Sequence, residues 1–323
     1  MELCVSIEPQ LGATYDDLLT VAQMCERLGF TGFFRSDHFL PHRDDAAGVV
    51  PGGTSDAWTT LAGIARETST IRLGTLVSSV TFRHPAVLAV QVANVDAMSA
   101  GRVELGLGTG WHAREHEAFG VPFPPHRFGR LEEALAIVTG MWSAQGSHPF
   151  DFVGEHYSLV ANPGVPITAQ QRLPIIIGGL GPVRTPALAA AYATEFNLLD
   201  SATLRERNET LDRASEAIGR DPSTIRRSVT AAVLAGRNEY ELRLRLTRTG
   251  DHPRYLEPGR ALTGTAHSIV DQLRSLEERG VHRAYLQLWD LHDLEHLELL
   301  GEEVLPHVQR DNGVTTTEPS RGD

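Results

Sequence analysis

The chain has 323 residues, of which 41% are hydrophobic and 22% charged, enough for a sizeable buried core and unlike a small stapled scaffold or a disordered chain. Its formal net charge of -12, from 29 basic and 41 acidic residues, disfavours nucleic acid or an anionic membrane as partner, because affinity for such surfaces comes from clustered Lys and Arg. All the basic residues are Arg, so there is no Schiff-base lysine, and Cys4 and Cys25 make neither a close metal-ligand pair nor a disulfide framework.

The first residues lack the basic patch, apolar run and small-residue site of a signal peptide, and no apolar run reaches the roughly 20 residues of a bilayer span. The expectation is a cytoplasmic protein that acts on a small molecule.

Short aliphatic or β-branched runs alternate with longer segments of helical period up to about residue 308, the rhythm of a parallel sheet with crossover helices. Strand one is expected over Leu3 to Ile7. A helix follows from Thr14, which forms a capping-box pair with Asp17 and places Leu18, Ala22 and Cys25 on one face. Gly29 should end it, as Gly101 and Gly280 end later helices, since glycine adopts the left-handed C-terminal conformation most readily. Strand two reads Gly32 to Ser36, strand three Ile71 to Ser79, and strand four Val103 to Gly108. Pro85 suits the first turn of a helix through Leu88, Val92 and Val95. Strands five to eight read Pro174 to Gly179, Glu195 to Leu199, Ser228 to Leu234 and Arg283 to Leu288. The pattern predicts a (β/α)8 TIM barrel over residues 1–308 as a single domain, with loop insertions at its C-terminal face and a disordered tail over 309–323. Pro41 to Ser55 and Trp142 to Arg172 break the rhythm and are candidates for a lid or substrate wall.

In such a barrel ligands sit at the carboxyl ends of the strands. Strand two ends there in Asp37-His38, where His38 could exchange a proton near neutrality or simply hydrogen-bond a loop. Gly106, Gly108 and Gly110 alternate along strand four, so something flat could approach that backbone; the spacing is not a dinucleotide fingerprint. Gly178, Gly179, Leu180 and Gly181 lead into a helix carrying Arg184, which reads either as a phosphate cradle or as a plain tight turn. His112-Ala113-Arg114-Glu115-His116 fits the H-x-x-E-H zinc pattern, but its place after a Gly-rich strand end lacks the protease scaffold, so no metal is expected. Phe39, Trp58, Trp111 and Trp289 are candidates for an apolar pocket.

Taken together, these segments resemble the luciferase-like monooxygenase superfamily, and most closely its coenzyme F420-dependent oxidoreductases. The resemblance is carried by Gly29-Phe30 through Ser36-Asp37-His38-Phe39, Ile71 to Ser78, Phe82-Arg83-His84-Pro85-Ala86, Ser99 to Gly108, Pro122-Phe123-Pro124 and Arg130 to Ala134. It implies a barrel that usually dimerises, with the deazaflavin of F420 across the strand ends and hydride passing between its C5 and a small organic substrate. His38 would then be the proton donor or acceptor beside Asp37. A non-proline cis peptide at Leu76-Val77, followed by Ser78, would support the back of the ring. Gly108, Thr109, Gly110 and Trp111 would flank the cofactor's side chain, and Gly178, Gly179, Leu180, Gly181 and Arg184 would meet its phosphate.

Two rivals share these expectations: a monooxygenase using reduced FMN on the same fold, and a non-catalytic barrel that holds a flavin or a metabolite. The sequence departs from its relatives at Ala191 and Thr194, where an Arg and an Asp are common, so both sides of an ion pair are absent together. Ala169 to Leu173 also lacks the usual proline-rich approach to strand five.

Overall fold

Eight parallel strands close on themselves in chain order: β1 (Glu2–Ile7), β2 (Gly32–Arg35), β3 (Arg72–Thr75), β4 (Val103–Gly108), β5 (Ile175–Gly178), β6 (Glu195–Leu198), β7 (Arg226–Gly236) and β8 (Arg283–Leu288). The last two pairings, β7 with β8 and β8 with β1, complete a (β/α)8 barrel. The computed structural model describes residues 1–41, 54–144, 148–164, 166–199, 201–248 and 259–309. The expected tail, from 310 onward, and positions 42–53 of the stretch between strands two and three lie outside them.

Local signals account for the helices. Thr14 and Asp17 form the expected reciprocal cap on the helix Tyr15–Leu28, and Gly29 closes it at φ +88°. Pro85 starts the helix Pro85–Met98 behind a His84 cap. The segment without the usual prolines is held in another way: Asp96 accepts the backbone N–H groups of Ala169 and Gln170 at 2.7 and 3.1 Å, and the Gln170 amide at 2.8 Å. At Ala191 and Thr194 no charge is stranded. Thr194 Oγ1 exchanges hydrogen bonds with the Ile175 backbone, and Arg220 donates to the carbonyls of Ala190 and Ala193.

The expected third strand proves to be two pieces. β3 ends at Thr75, the Leu76-Val77 peptide is cis, and Ser78–Ser79 rejoins β4 opposite Leu107 and Gly108. Two further pairings have no counterpart in the sequence pattern. Phe150–Val153 and Ser158–Asn162 form an antiparallel hairpin within the Trp142 to Arg172 insertion. Ala261–Thr265 adds to the far half of β7, which runs to 11 residues and so extends beyond the barrel.

The inside of the barrel has two layers. Cys4, Phe34, Ile176 and Tyr285 form a small apolar cluster, with the Phe34 and Tyr285 rings edge to face at 4.9 Å. Below it, near the amino ends of the strands, Arg283 is 1% exposed and is enclosed by Glu2, Glu104 and Glu195, with Tyr285 donating to Glu195 at 2.6 Å. The main apolar core lies outside the strands, under the helices. With the interior filled, what remains open is the carboxyl-end face.

Candidate active site

β2 carries its chain to this face and ends against a charged clamp. Asp37, 1% exposed, receives both terminal nitrogens of Arg83, and the same guanidinium pairs with Asp56, the cap of the helix Ala57–Glu67. Arg83 is held above its ordinary pKa: burial alone would lower it, and the two carboxylates more than reverse that. Asp37 is thus committed to Arg83.

His38, the next residue, faces the opposite partner. Its Nδ1 lies 2.9 Å from Oε2 of Glu115, a fully buried carboxylate at the start of the short helix Ala113–Ala118. A carboxylate has no proton to give, so Nδ1–H donates. Burial pushes the imidazole pKa down, but the hydrogen bond and charge of Glu115, helped by Glu8 and Asp37, hold it above its ordinary value. Glu115 is correspondingly held below the usual carboxylate range; burial opposes this, and His38 together with the N–H groups of Phe39 and Leu40 outweighs it. Trp111, 59% exposed, stacks on His112 at 5.0 Å and meets His38 edge-on at 5.6 Å.

The zinc-like pattern resolves into separate roles. His116 turns away, with its Nδ1 at 2.9 Å from the His112 carbonyl and its ring stacked on Phe82 at 4.4 Å. His38, His112 and Glu115 bring ligand-type atoms within 4.8 Å of one another. Both Glu115 oxygens already accept N–H donors, Oε2 from His38 and Oε1 from the backbone of Phe39 and Leu40.

The alternating glycines do make room, but for the protein itself. A Cβ on Gly106 would sit 2.0 Å from the Thr75 carbonyl oxygen, one on Gly108 would meet Val77 at 2.9 Å, and one on Gly110 would meet Ser79 at 2.1 Å. The segment around the cis peptide packs into the gap. Ser78 is buried and accepts from Trp58 Nε1 at 3.2 Å, which makes Trp58 a core residue instead of a pocket wall. Phe39 packs on Phe82 and Phe119.

Beyond β5, Gly179 has φ +143°, Leu180 is 54% exposed, and Gly181 lies so close to Thr185 and Phe128 that a Cβ would clash. The helix Arg184–Tyr192 behind this loop has no side-chain cap; Pro186 brings no N–H and Ala187 donates to the Val183 carbonyl, so the backbone N–H groups of Arg184 and Thr185 are what its start could offer a phosphate. Arg184 lies over Phe128 at 4.9 Å, and Arg207 donates to the Leu180 carbonyl at 2.9 Å. A cavity of about 330 Å³ opens between the ends of β1, β7 and β8; Glu8, Arg245, Trp289 and Asp293 are among its walls. Glu8 belongs to both regions, since it accepts from Gln287 at 2.9 Å and its charge bears on His38.

The structure therefore gathers Asp37, His38, Gly108 to Trp111 and the β5 loop at one face. Sequence reasoning did not single out Glu115, Arg83, Glu8 or Arg207 for roles. Glu115 was visible in the H-x-x-E-H pattern, and Arg83 in the Phe82 to Ala86 stretch.

A family model described as luciferase-like monooxygenase matches residues 3–256. An F420-dependent glucose-6-phosphate dehydrogenase from Microbacterium testaceum is 34% identical over 173 residues, 53% of this chain and 48% of that one. The chain spans about half the length of the curated relatives it matches. Among solved structures, a monooxygenase from Streptomyces bottropensis superposes with a TM-score of 0.80 at 20% identity, covering 96% of this chain and 100% of that one. An F420-dependent secondary alcohol dehydrogenase in complex with an F420-acetone adduct gives 0.79 at 18%, covering 96% and 99%. At these identities the structural likeness is one of fold.

Proposed function

Because the chain belongs to the luciferase-like monooxygenase family, we propose that it is a coenzyme F420-dependent oxidoreductase, in which the deazaflavin supplies or accepts hydride at C5 and a small organic substrate is its partner. The observation that carries this reading is the His38 imidazole, presented at the barrel mouth with one nitrogen tied to a buried carboxylate. Such a ring takes or gives a proton near neutrality while its orientation stays fixed. The F420-dependent relative is what favours the deazaflavin over FMN.

The chain's own residues divide the work. Gly178, Gly179, Leu180 and Gly181, with the uncapped helix start and Arg184, would hold the phosphate. Gly108, Thr109, Gly110 and Trp111 would flank the cofactor's side chain, while Leu76, Val77 and Ser78 would back its ring. Asp37, through Arg83, keeps the end of β2 in place, which would hold His38 steady toward a bound cofactor and substrate. Substrate would enter by the cavity that shares Glu8 with this region. We also read the protein as a cytoplasmic homodimer. In support of a pairing face, the helix Pro85–Met98 keeps Val87 54% exposed beside the half-buried Val90, with Gln91 and Asn94 as the polar part of the same face. No helix of the described residues is long and apolar enough to cross a membrane.

Fluorescence titration of the apo-protein with F420 and with FMN tests the reading. Tighter binding of F420, with F420-dependent oxidation of a panel of alcohols that falls at least ~100-fold in His38→Ala, is the expected result. Preference for FMN with oxygen consumption would replace it by monooxygenation. Binding of neither cofactor would leave a non-catalytic barrel.

A further inference from the structure

We propose that Glu115 is the positioning residue of this site: its buried carboxylate fixes His38 in the Nδ1–H tautomer, so that proton exchange with substrate passes through Nε2. The inference rests on the proton role of His38 proposed above. Three donors converge on this carboxylate: His38 Nδ1 on Oε2, and the backbone N–H groups of Phe39 and Leu40 on Oε1. One side chain therefore sets the direction of the imidazole and the path of the chain that leaves β2. Fixing both with the same group means that the ring and its backbone cannot drift apart, which matters where donor and acceptor atoms must be held in register.

The surroundings of His38 make the carboxylate's effect specific. Three acidic groups face the ring: Glu115 from the helix Ala113–Ala118, Glu8 from the end of β1, and Asp37 from its own segment. Asp37 is neutralised by Arg83, and Glu8 accepts amide donors from Gln10 and Gln287. His112 also stands near, its Nδ1 3.8 Å from the same Glu115 oxygen, and its ring is 6.1 Å from that of His38. Of the three carboxylates, Glu115 acts on the ring by hydrogen bond and by charge together, whereas Glu8 and Asp37 act by charge.

The test is read first in the cofactor-free protein, so it does not depend on turnover. Nitrogen chemical shifts of His38 in the labelled wild-type chain are expected to show Nδ1 protonated in the neutral ring; an Nε2–H tautomer would overturn the proposal without any variant. In Glu115→Gln the amide oxygen can still accept from Phe39 and Leu40 while the charge is gone. The His38 titration midpoint is expected to fall by about 1 unit or more. Glu115→Asp should recover part of that shift, and Glu8→Gln should move the midpoint less than Glu115→Gln does. An unchanged midpoint in a folded Glu115→Gln protein would overturn the assignment. The acid limb of kcat/KM for the F420 reaction should then move with the midpoint. If His38→Ala leaves turnover intact while the NMR coupling holds, the catalytic reading fails and the tautomer assignment stands.

Discussion

Asp37 and Arg83 show how little a residue's neighbourhood in sequence reveals about its neighbourhood in space. Asp37 stands beside His38 in the chain, which made the two look like one acid-base pair, yet its carboxylate is 1% exposed and closed off by a guanidinium 46 positions away. Removing Arg83 alone strands a buried charge. Arg83→Met is therefore expected to cost about 3–5 kcal/mol in chemical denaturation, whereas adding Asp37→Asn should recover a large part of the loss. Equal stability of the single and double variants would show that the pair is not what closes this corner. His38 was legible because a histidine at a strand's carboxyl end is conspicuous in a barrel rhythm. Glu115 was not, because its partner lies 77 positions upstream and its own pattern invited a metal reading. A hydrogen bond across that separation leaves no local periodicity to detect.

At the scale of elements, the glycines of β4 separate two kinds of room that a sequence cannot tell apart. Alternation announces close approach, but the occupant could be a ring or a neighbouring strand. Here Gly106 and Gly108 admit Thr75 at the end of β3 and Val77 just beyond it. Gly106→Ala would press a Cβ against the Thr75 carbonyl oxygen, a backbone atom that cannot swing aside, and should destabilise the protein by roughly 1–3 kcal/mol or more. Gly108→Ala meets a side-chain methyl of Val77 at 2.9 Å and should cost less, as ordered by their melting temperatures. The reverse order would mean that this segment yields more readily than its packing indicates. Most barrel strands were readable because short buried runs such as Leu3 to Ile7, Val103–Gly108 and Ile175–Gly178 alternate with helices that carry their own start and stop signals. The hairpin Phe150–Val153 with Ser158–Asn162 was missed for the opposite reason. Its two strands are short and mostly exposed, and its turn is held from afar by Glu133, whose carboxylate accepts the N–H groups of Glu155, His156 and Tyr157. Ala261–Thr265 likewise lacks an apolar run and forms because the long β7 offers it an edge.

For the whole molecule, the two ends of the barrel carry different burdens. The carboxyl-end face holds the open loops and His38, while the amino-end interior is closed by Arg283 with Glu2, Glu104 and Glu195, and by Arg72 on Glu104. Burial would push the Glu104 carboxyl up, but Arg283 and Arg72 overcome this and hold it well below the usual carboxylate range. In the unfolded chain it would return to about 4.3. A group whose folded pKa is depressed stabilises fully above its unfolded value and loses that contribution as pH falls through the folded one. Glu104 should therefore contribute stability that is present at neutral pH and is lost as the pH falls below the ordinary carboxylate range and through its depressed folded value. Urea unfolding followed from about pH 7 to pH 2 should show this loss in the wild-type chain. Glu104→Gln should begin less stable at neutral pH, since Arg283 loses one of its carboxylates, and should lose less as the pH falls. Parallel curves would place the acid sensitivity elsewhere. Because this cluster lies below the Phe34 and Tyr285 layer, the same variant should leave F420 affinity and the His38 titration where they were. If they shifted with it, the plug and the mouth would be coupled through the barrel interior, and the separation of stability from chemistry along the axis would not hold.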